Sequence, residues 1–189
     1  MKVTHISEIL GAEVEGVDCR DISNRDLAAL QALLWDRGML SFPNQDLTPG
    51  SQLAFAERWG AINVNRFFTP VAANPRVAEV LKEGDQELNI GGGWHTDHSY
   101  DEIPAMGSML YALEIPETGG DTLFASMYAA YANLSDGFKQ ALSSMRAVHS
   151  SRHVFGNEHV AGDRPRKRLH NSELAVQDAV HPVVIEHPG

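Results

Sequence analysis

The feature that most restricts the fold of this chain is a short glycine-rich segment, GGGWHTDHSY, at residues 91–100. Consecutive glycines let the backbone approach a side chain closely or adopt dihedral angles that other residues avoid. If the next residues are extended, His95 and Asp97 project from one face and His98 from the other. A converging imidazole and carboxylate form a donor set for a divalent transition-metal ion. The segment therefore predicts a metal site, with Trp94 as a buried wall beside it.

The same residues also allow simpler or different interpretations. An isolated His-x-Asp occurs by chance on protein surfaces, and three glycines can form an ordinary flexible loop. A zinc or binuclear metallohydrolase site built from His95, Asp97 and His98 is another alternative. Such a site needs further ligands upstream, and residues 60–94 contain no histidine. The metallohydrolase is therefore the weaker hypothesis, but it stays open at this point.

Composition excludes several classes of protein and partner. A chain of 189 residues is long enough for a single domain, residues 1–189, with a hydrophobic core. Its net charge of -10 argues against nucleic-acid binding, which needs a basic surface. No apolar stretch approaches the roughly 20 residues of a membrane span. Cys19 is the only cysteine, which rules out an intrachain disulfide and fits a reducing, cytoplasmic location.

Local patterns predict helices and strands along most of the chain. A helix is predicted in SNRDLAALQALLWDRG, capped by Ser23 or Asn24 and ended by Gly38, and a second begins at Thr48 and Pro49. The segment between them, MLSFPNQ, reads as a short strand. From Gly107 onward, two strands joined by a Gly-Gly turn are predicted, followed by two helices and the β-like segment RAVHSSRHVF.

Two segments near the carboxyl terminus lead to further expectations. Residues 156–173 are polar and rich in basic residues, which predicts a mobile surface loop, either simply solvated or acting as a lid. The last strand, in AVHPVVIEHPG, runs into a Pro188–Gly189 turn. Because such turns usually send the chain back along the strand just made, we expect the natural protein to continue past Gly189.

Longer blocks of sequence extend the metal hypothesis to a family. The segments WHTDHSY, PAMGSMLYALEIPETGGDTLFASMYAAYANLS, AVHSSRHVFG and HPVVIEHPG resemble the taurine dioxygenase and phenoxyalkanoate dioxygenase family of Fe(II)- and 2-oxoglutarate-dependent enzymes. GAEVEGVD and LTPGSQLAFAERWG fit the amino-terminal region of that family, so the resemblance covers nearly the whole chain. It implies an α+β, mainly β fold: a double-stranded β-helix, or cupin-like jelly roll, with flanking helices. It also implies a homo-oligomer.

The resemblance assigns roles to individual residues. His95 and Asp97 match the first two catalytic ligands of iron, and Thr122 matches a threonine whose hydroxyl binds a carboxylate of 2-oxoglutarate. The family's second metal-binding histidine and its cosubstrate-binding arginine lie beyond the equivalent of HPVVIEHPG and are absent from this chain. Two protein ligands hold iron weakly, and 2-oxoglutarate loses a bidentate contact without the arginine. The 189 residues alone are therefore expected to be inactive.

The resemblance also bears on the substrate. Asn65, Phe68 and Gly91 occupy positions where taurine-specific enzymes carry polar groups that contact the aminosulfonate, and all three differ here. Loss of those groups favours a bulkier, partly apolar acid over taurine. Tyr100 either reaches the pocket mouth or is a core aromatic.

The expected reaction is hydroxylation of a small organic acid by O2. The acid is a sulfonate, a sulfate ester or an aryloxyalkanoate, and the reaction releases succinate and CO2. A noncatalytic jelly-roll module that serves binding or assembly is the remaining alternative.

Overall fold

The elements of the fold are given by a computed structural model that describes residues 1–84, 91–156 and 169–187. The strands are β1 (Lys2–His5), β2 (Ala12–Glu15), β3 (Leu40–Ser41), β4 (Thr69–Val71), β5 (Asn74–Glu79), β6 (Arg146–Ser150) and β7 (Asp178–Pro182). The helices are α1 (Asn24–Arg37), α2 (Pro49–Glu57), α3 (Met127–Ala132), α4 (Asp136–Leu142) and α5 (Arg152–Phe155), with a 3-10 turn at Ser172–Leu174. These elements divide between two compact units. Unit 1 comprises Met1–Trp59, Leu110–Ala141 and the residues from Glu186 onward, and unit 2 comprises Gly60–Met109 and Leu142–Ile185.

The first two helices confirm the predictions made from their capping residues. The Ser23 hydroxyl accepts a hydrogen bond from the backbone N–H of Asp26, and Gly38 ends α1 in the left-handed conformation at φ 68°. Helix α2 begins at Pro49 behind a capping box formed by Thr48 and Ser51. Both boundaries follow from local chemistry, so no distant contact was needed to predict them.

Unit 1 contains a three-stranded sheet in the order β1-β2-β3. Strands β1 and β2 are antiparallel, and β3 pairs in parallel with β2. The predicted strand in MLSFPNQ is therefore confirmed at its first residues. The sheet and helices α1 and α2 enclose a core formed by Val14, Cys19, Ile22, Leu27, Leu30 and Phe55.

The single cysteine lies inside that core, which gives a testable prediction. Burial raises the pKa of the Cys19 thiol to about 11. Since only the thiolate attacks alkylating reagents, and the greater nucleophilicity of a high-pKa thiolate offsets only part of the loss, we expect alkylation to slow at least about tenfold. The measurement compares iodoacetamide labelling of folded and urea-unfolded protein at pH 8 by mass spectrometry. Equal labelling rates in the two states would show that Cys19 is accessible.

Unit 2 contains two antiparallel strand pairs, β4 with β5 and β6 with β7. Its core is aromatic and consists of Phe67, Tyr100, Phe155 and Ala175. The rings of Phe67 and Phe155 stack with their centroids 4.0 Å apart. Strand β7 confirms the strand predicted in AVHPVVIEHPG, whereas its Pro188–Gly189 turn lies outside the described residues.

Two predictions of strand structure were wrong. The two strands expected from Gly107 onward are not present: residues 107–126, all of which are described, form no backbone ladder. A strand needs a partner that accepts and donates its backbone hydrogen bonds, and the apolar pattern of these residues does not reveal whether such a partner exists. In RAVHSSRHVF only Arg146–Ser150 is a strand, because Arg152–Phe155 forms the helical turn α5.

The described elements therefore have the α+β character that was expected, but helical residues outnumber strand residues among them. The expected excess of β-structure is not seen in these residues because the segments around residues 91–126 do not form strands. Most of the predicted loop at 156–173 lies outside the described residues, namely 157–168. After it, Leu169 forms an isolated antiparallel bridge with Phe68. Among the described helices, none is long and apolar enough to cross a membrane.

Candidate metal site

His95 and Asp97 point their side chains at each other in unit 2. The Nε2 atom of His95 lies 3.2 Å from Oδ1 of Asp97, and both side chains are a little over half exposed, at 53% and 57%. The expected convergence of an imidazole and a carboxylate is therefore present. The local structure differs from the extended segment that was predicted: residues 97–100 form a turn, and His98 adopts φ 55°.

The backbone on the amino-terminal side fixes the orientation of the His95 ring. Nδ1 of His95 lies 2.7 Å from the carbonyl oxygen of Gly93. A carbonyl oxygen can only accept a hydrogen bond, so Nδ1 donates to it and Nε2 is the ring nitrogen that faces Asp97. Gly91 adopts φ 73°, and a Cβ there would lie only 3.1 Å from Cε1 of His95. The predicted close approach of the glycine backbone is thus found at Gly91.

The Asp97 carboxylate is held from its other side by Ser108. The Ser108 hydroxyl donates to Oδ2 of Asp97 at 2.7 Å, which leaves Oδ1 directed at His95. Sequence analysis did not identify Ser108, since it lies 11 residues beyond Asp97 in the segment wrongly predicted as a strand. Its position in PAMGSML carried no signal that could have indicated this contact.

The donor set fits a divalent transition-metal ion. A histidine Nε2 lone pair and a carboxylate oxygen are both acceptors, and two acceptors 3.2 Å apart repel unless a cation or proton lies between them. Adjacent ligands of an octahedral ion, each about 2.1 Å from it, lie about 3.0 Å apart. The distance between His95 and Asp97 is close to that value. Among the described residues, no group of three or more His, Cys, Asp or Glu side chains could hold a metal ion.

The turn that follows Asp97 is anchored by a partly buried charge cluster. Nδ1 of His98 lies 2.9 Å from Oδ2 of Asp101, and Arg66 approaches Oδ1 of Asp101 at 3.5 Å. The Arg66 guanidinium also lies over the Phe67 ring, 5.0 Å from its centroid. His98 therefore pairs with Asp101, in agreement with the expectation that its side chain points away from the metal pair.

Two aromatic residues flank the pair in different environments. Tyr100 lies in the aromatic core of unit 2, which is the second of the two alternatives given for this residue. Burial raises the pKa of its hydroxyl above the usual range. Trp94 was predicted to form a buried wall, which is wrong because this residue is 73% exposed. It lies in a continuous exposed run, residues 91–97.

The remaining candidate residues lie outside the helices and strands, with Phe68 in the isolated bridge to Leu169. The Asn65 side-chain oxygen accepts hydrogen bonds from the backbone N–H groups of Phe67 and Phe68, so it stabilises its own turn. Thr122 belongs to unit 1 and lies in an exposed stretch after Gly119 and Gly120. Both of those glycines have positive φ, at 79° and 75°. The roles of Asn65, Phe68, Tyr100 and Thr122 in binding stay predictions.

Comparison with known protein families shows to which family the chain that carries His95 and Asp97 belongs. Residues 2–189 match the sequence profile of the family described as "Taurine catabolism dioxygenase TauD, TfdA family". The chain belongs to this TauD/TfdA family. The resemblance inferred from WHTDHSY and the later blocks is thereby confirmed.

Individual relatives of this TauD/TfdA-family chain carry dioxygenase names. An alpha-ketoglutarate-dependent sulfonate dioxygenase of Saccharomyces cerevisiae is 28% identical over 100% of this chain and 47% of its own length. An (S)-phenoxypropionate/alpha-ketoglutarate-dioxygenase of Sphingobium herbicidovorans is 30% identical over 85% of this chain and 58% of its own length. These names lend no support to the metallohydrolase or to a noncatalytic module.

A solved structure shows the same likeness at the level of the fold. The crystal structure of a taurine dioxygenase from Burkholderia xenovorans superimposes with a TM-score of 0.74 at 27% identity, covering 99% of this chain and 59% of that protein. This TauD/TfdA-family chain therefore spans about half to three fifths of the length of the relatives it matches.

Proposed function

We propose that the protein carrying this chain is an Fe(II)- and 2-oxoglutarate-dependent dioxygenase that hydroxylates a small organic acid. The main supporting observation is the 3.2 Å approach of His95 Nε2 to Asp97 Oδ1, within a chain of the TauD/TfdA family. Each side chain is held by a separate hydrogen bond, from His95 to the Gly93 carbonyl and from Ser108 to Asp97. Such second contacts orient ligands and fix the histidine tautomer.

In this proposal each residue has one task. His95 and Asp97 bind iron together with a histidine supplied from outside this chain, and Thr122 binds a carboxylate of 2-oxoglutarate. Bound ferrous iron with 2-oxoglutarate and O2 supplies the oxidising power: one oxygen atom enters a C–H bond of the substrate, and the other enters succinate as CO2 leaves. The Gly93 carbonyl keeps the proton on Nδ1 of His95, so that Nε2 stays available as a ligand.

The proposed substrate is a sulfonate, a sulfate ester or an aryloxyalkanoate. The names of the yeast and Sphingobium relatives point to sulfonates and phenoxypropionate, respectively. The side-chain oxygen of Asn65 already accepts a hydrogen bond from the backbone N–H of Phe67, and Gly91 has no side chain that could contact a substrate. Both features favour a partly apolar acid over taurine. Hydroxylation next to the heteroatom would then expel sulfite, sulfate or an aryloxide and leave an aldehyde or ketone.

We extend the proposal to the setting of the protein. A homo-oligomer is proposed from the family resemblance. A reducing, cytoplasmic location is supported by the single cysteine, which is buried.

A substrate screen tests this function. The full protein that carries this chain is incubated anaerobically with Fe(II) and 2-oxoglutarate, O2 is admitted, and succinate is measured with sulfonates, sulfate esters and aryloxyalkanoates. We expect at least one class to raise succinate release above the substrate-free background, with one product per succinate. Bound zinc together with an absence of 2-oxoglutarate consumption for every class would contradict the proposal.

A further inference from the structure

The bond between Ser108 and Asp97 has a consequence for how Asp97 would hold a metal. The two oxygens of an aspartate are chemically equivalent, and rotation about its last side-chain torsion interchanges them with little energetic preference. Here the hydroxyl of Ser108 occupies Oδ2 at 2.7 Å, while Oδ1 faces His95 Nε2 at 3.2 Å. The hydrogen bond to a charged carboxylate removes the equivalence of the two oxygens.

We propose that Ser108 is a positioning residue that presents Asp97 to iron through Oδ1 alone. This inference rests on the proposed function. A carboxylate that binds through both oxygens takes a second coordination position, and the two-histidine, one-carboxylate arrangement depends on three positions staying open. By occupying Oδ2, Ser108 keeps one of these positions free for the cosubstrate or O2. It acts on the metal only through Asp97.

The neighbouring backbone gives Ser108 a fixed target. Asp97 begins a turn in which the backbone N–H of Asp101 donates to the carbonyl of His98 at 3.0 Å. The side chain of Asp101 is itself held by His98 and Arg66. The carboxylate that Ser108 contacts therefore projects from an anchored turn.

Substitution of Ser108 tests the proposal. Ser108→Ala and Ser108→Val remove the hydroxyl, whereas Ser108→Thr retains it and has the shape of the valine variant. We expect the alanine and valine variants to bind Co(II) roughly tenfold more weakly than the unsubstituted full protein. The threonine variant should have nearly the same Co(II) affinity as the unsubstituted protein. The visible absorption bands of the Co(II) complex should also shift in the first two variants, because the number of carboxylate oxygens on the metal changes. Ser144→Ala, an exposed serine of the same unit, is the control.

The outcomes separate this proposal from the proposed function. If His95→Ala abolishes Co(II) binding and Ser108→Val matches the original protein in affinity and spectrum, the positioning role of Ser108 is wrong and the metal site stands. If the full protein that carries this chain binds Co(II) no better than its His95→Ala variant, the metal site is wrong, and the role of Ser108 with it. Equal losses in the threonine and valine variants would also overturn the role, since the hydroxyl would then not matter. Far-ultraviolet circular dichroism of each variant checks that the fold is kept.

Discussion

Replacement of Asp97 by alanine is expected to abolish 2-oxoglutarate turnover in the full protein and to weaken Fe(II) binding by more than about 100-fold. Loss of a residue that only orients a ligand costs roughly 10- to 100-fold in metal affinity, so loss of the ligand itself should cost more. Asp97 would supply the negative charge of the site, and no other described carboxylate joins it and His95 in a group able to hold a metal. Anaerobic Fe(II) titration and succinate release measure the two effects.

A double substitution tests whether His95 and Asp97 act on the same ion. His95→Ala should reproduce the Asp97→Ala result, and the double variant should be little worse than either single variant, because residues that work as one unit are strongly non-additive. His5→Ala, on the exposed strand β1, is the matched control and should keep both affinity and turnover. Independent, additive losses, or turnover that survives in Asp97→Ala, would contradict a shared iron site.

The two helices that sequence analysis predicted from their capping residues are fixed by nearby residues. Helix α1 is determined by Ser23 at one end and Gly38 at the other, and the hydrogen bonds that these residues make stay within the helix. Residues 107–126 show the opposite case. Their apolar pattern is compatible with strands, but strand formation depends on a partner that is distant in sequence, and these residues, all of which are described, form no ladder.

The sequence predicted only the part of the candidate site that is set by residues close together in the chain. The spacing of His95 and Asp97 placed them on one face, and their side chains do converge, although a turn rather than a strand brings them together. Ser108 could not be predicted, since its contact with Asp97 spans 11 residues of irregular backbone. The exposure of Trp94 was also beyond sequence reasoning, because a tryptophan beside a polar motif fits a buried wall and an open surface equally well.

A valine at Gly91 is expected to weaken Fe(II) binding on the order of 100-fold, although Gly91 contributes no ligand atom. Two effects act together. Gly91 has φ 73°, a region that β-branched residues rarely adopt, and a Cβ there would lie 3.1 Å from Cε1 of His95. The new side chain would push the imidazole away from Asp97, which should cost nearly as much as losing a ligand. Metal titration with circular dichroism measures affinity and folding side by side.

The neighbouring glycine offers a control that separates displacement of His95 from a general effect of loop substitution. Gly93 does not have positive φ, and a Cβ there would meet nothing within 4 Å. Its carbonyl, which accepts the hydrogen bond from His95, remains in any substitution. Gly93→Val should therefore retain metal affinity within a few-fold while Gly91→Val loses it. Similar losses in both variants would mean that the loop tolerates no side chain at all, and the contact between Gly91 and the His95 ring would then not explain the effect.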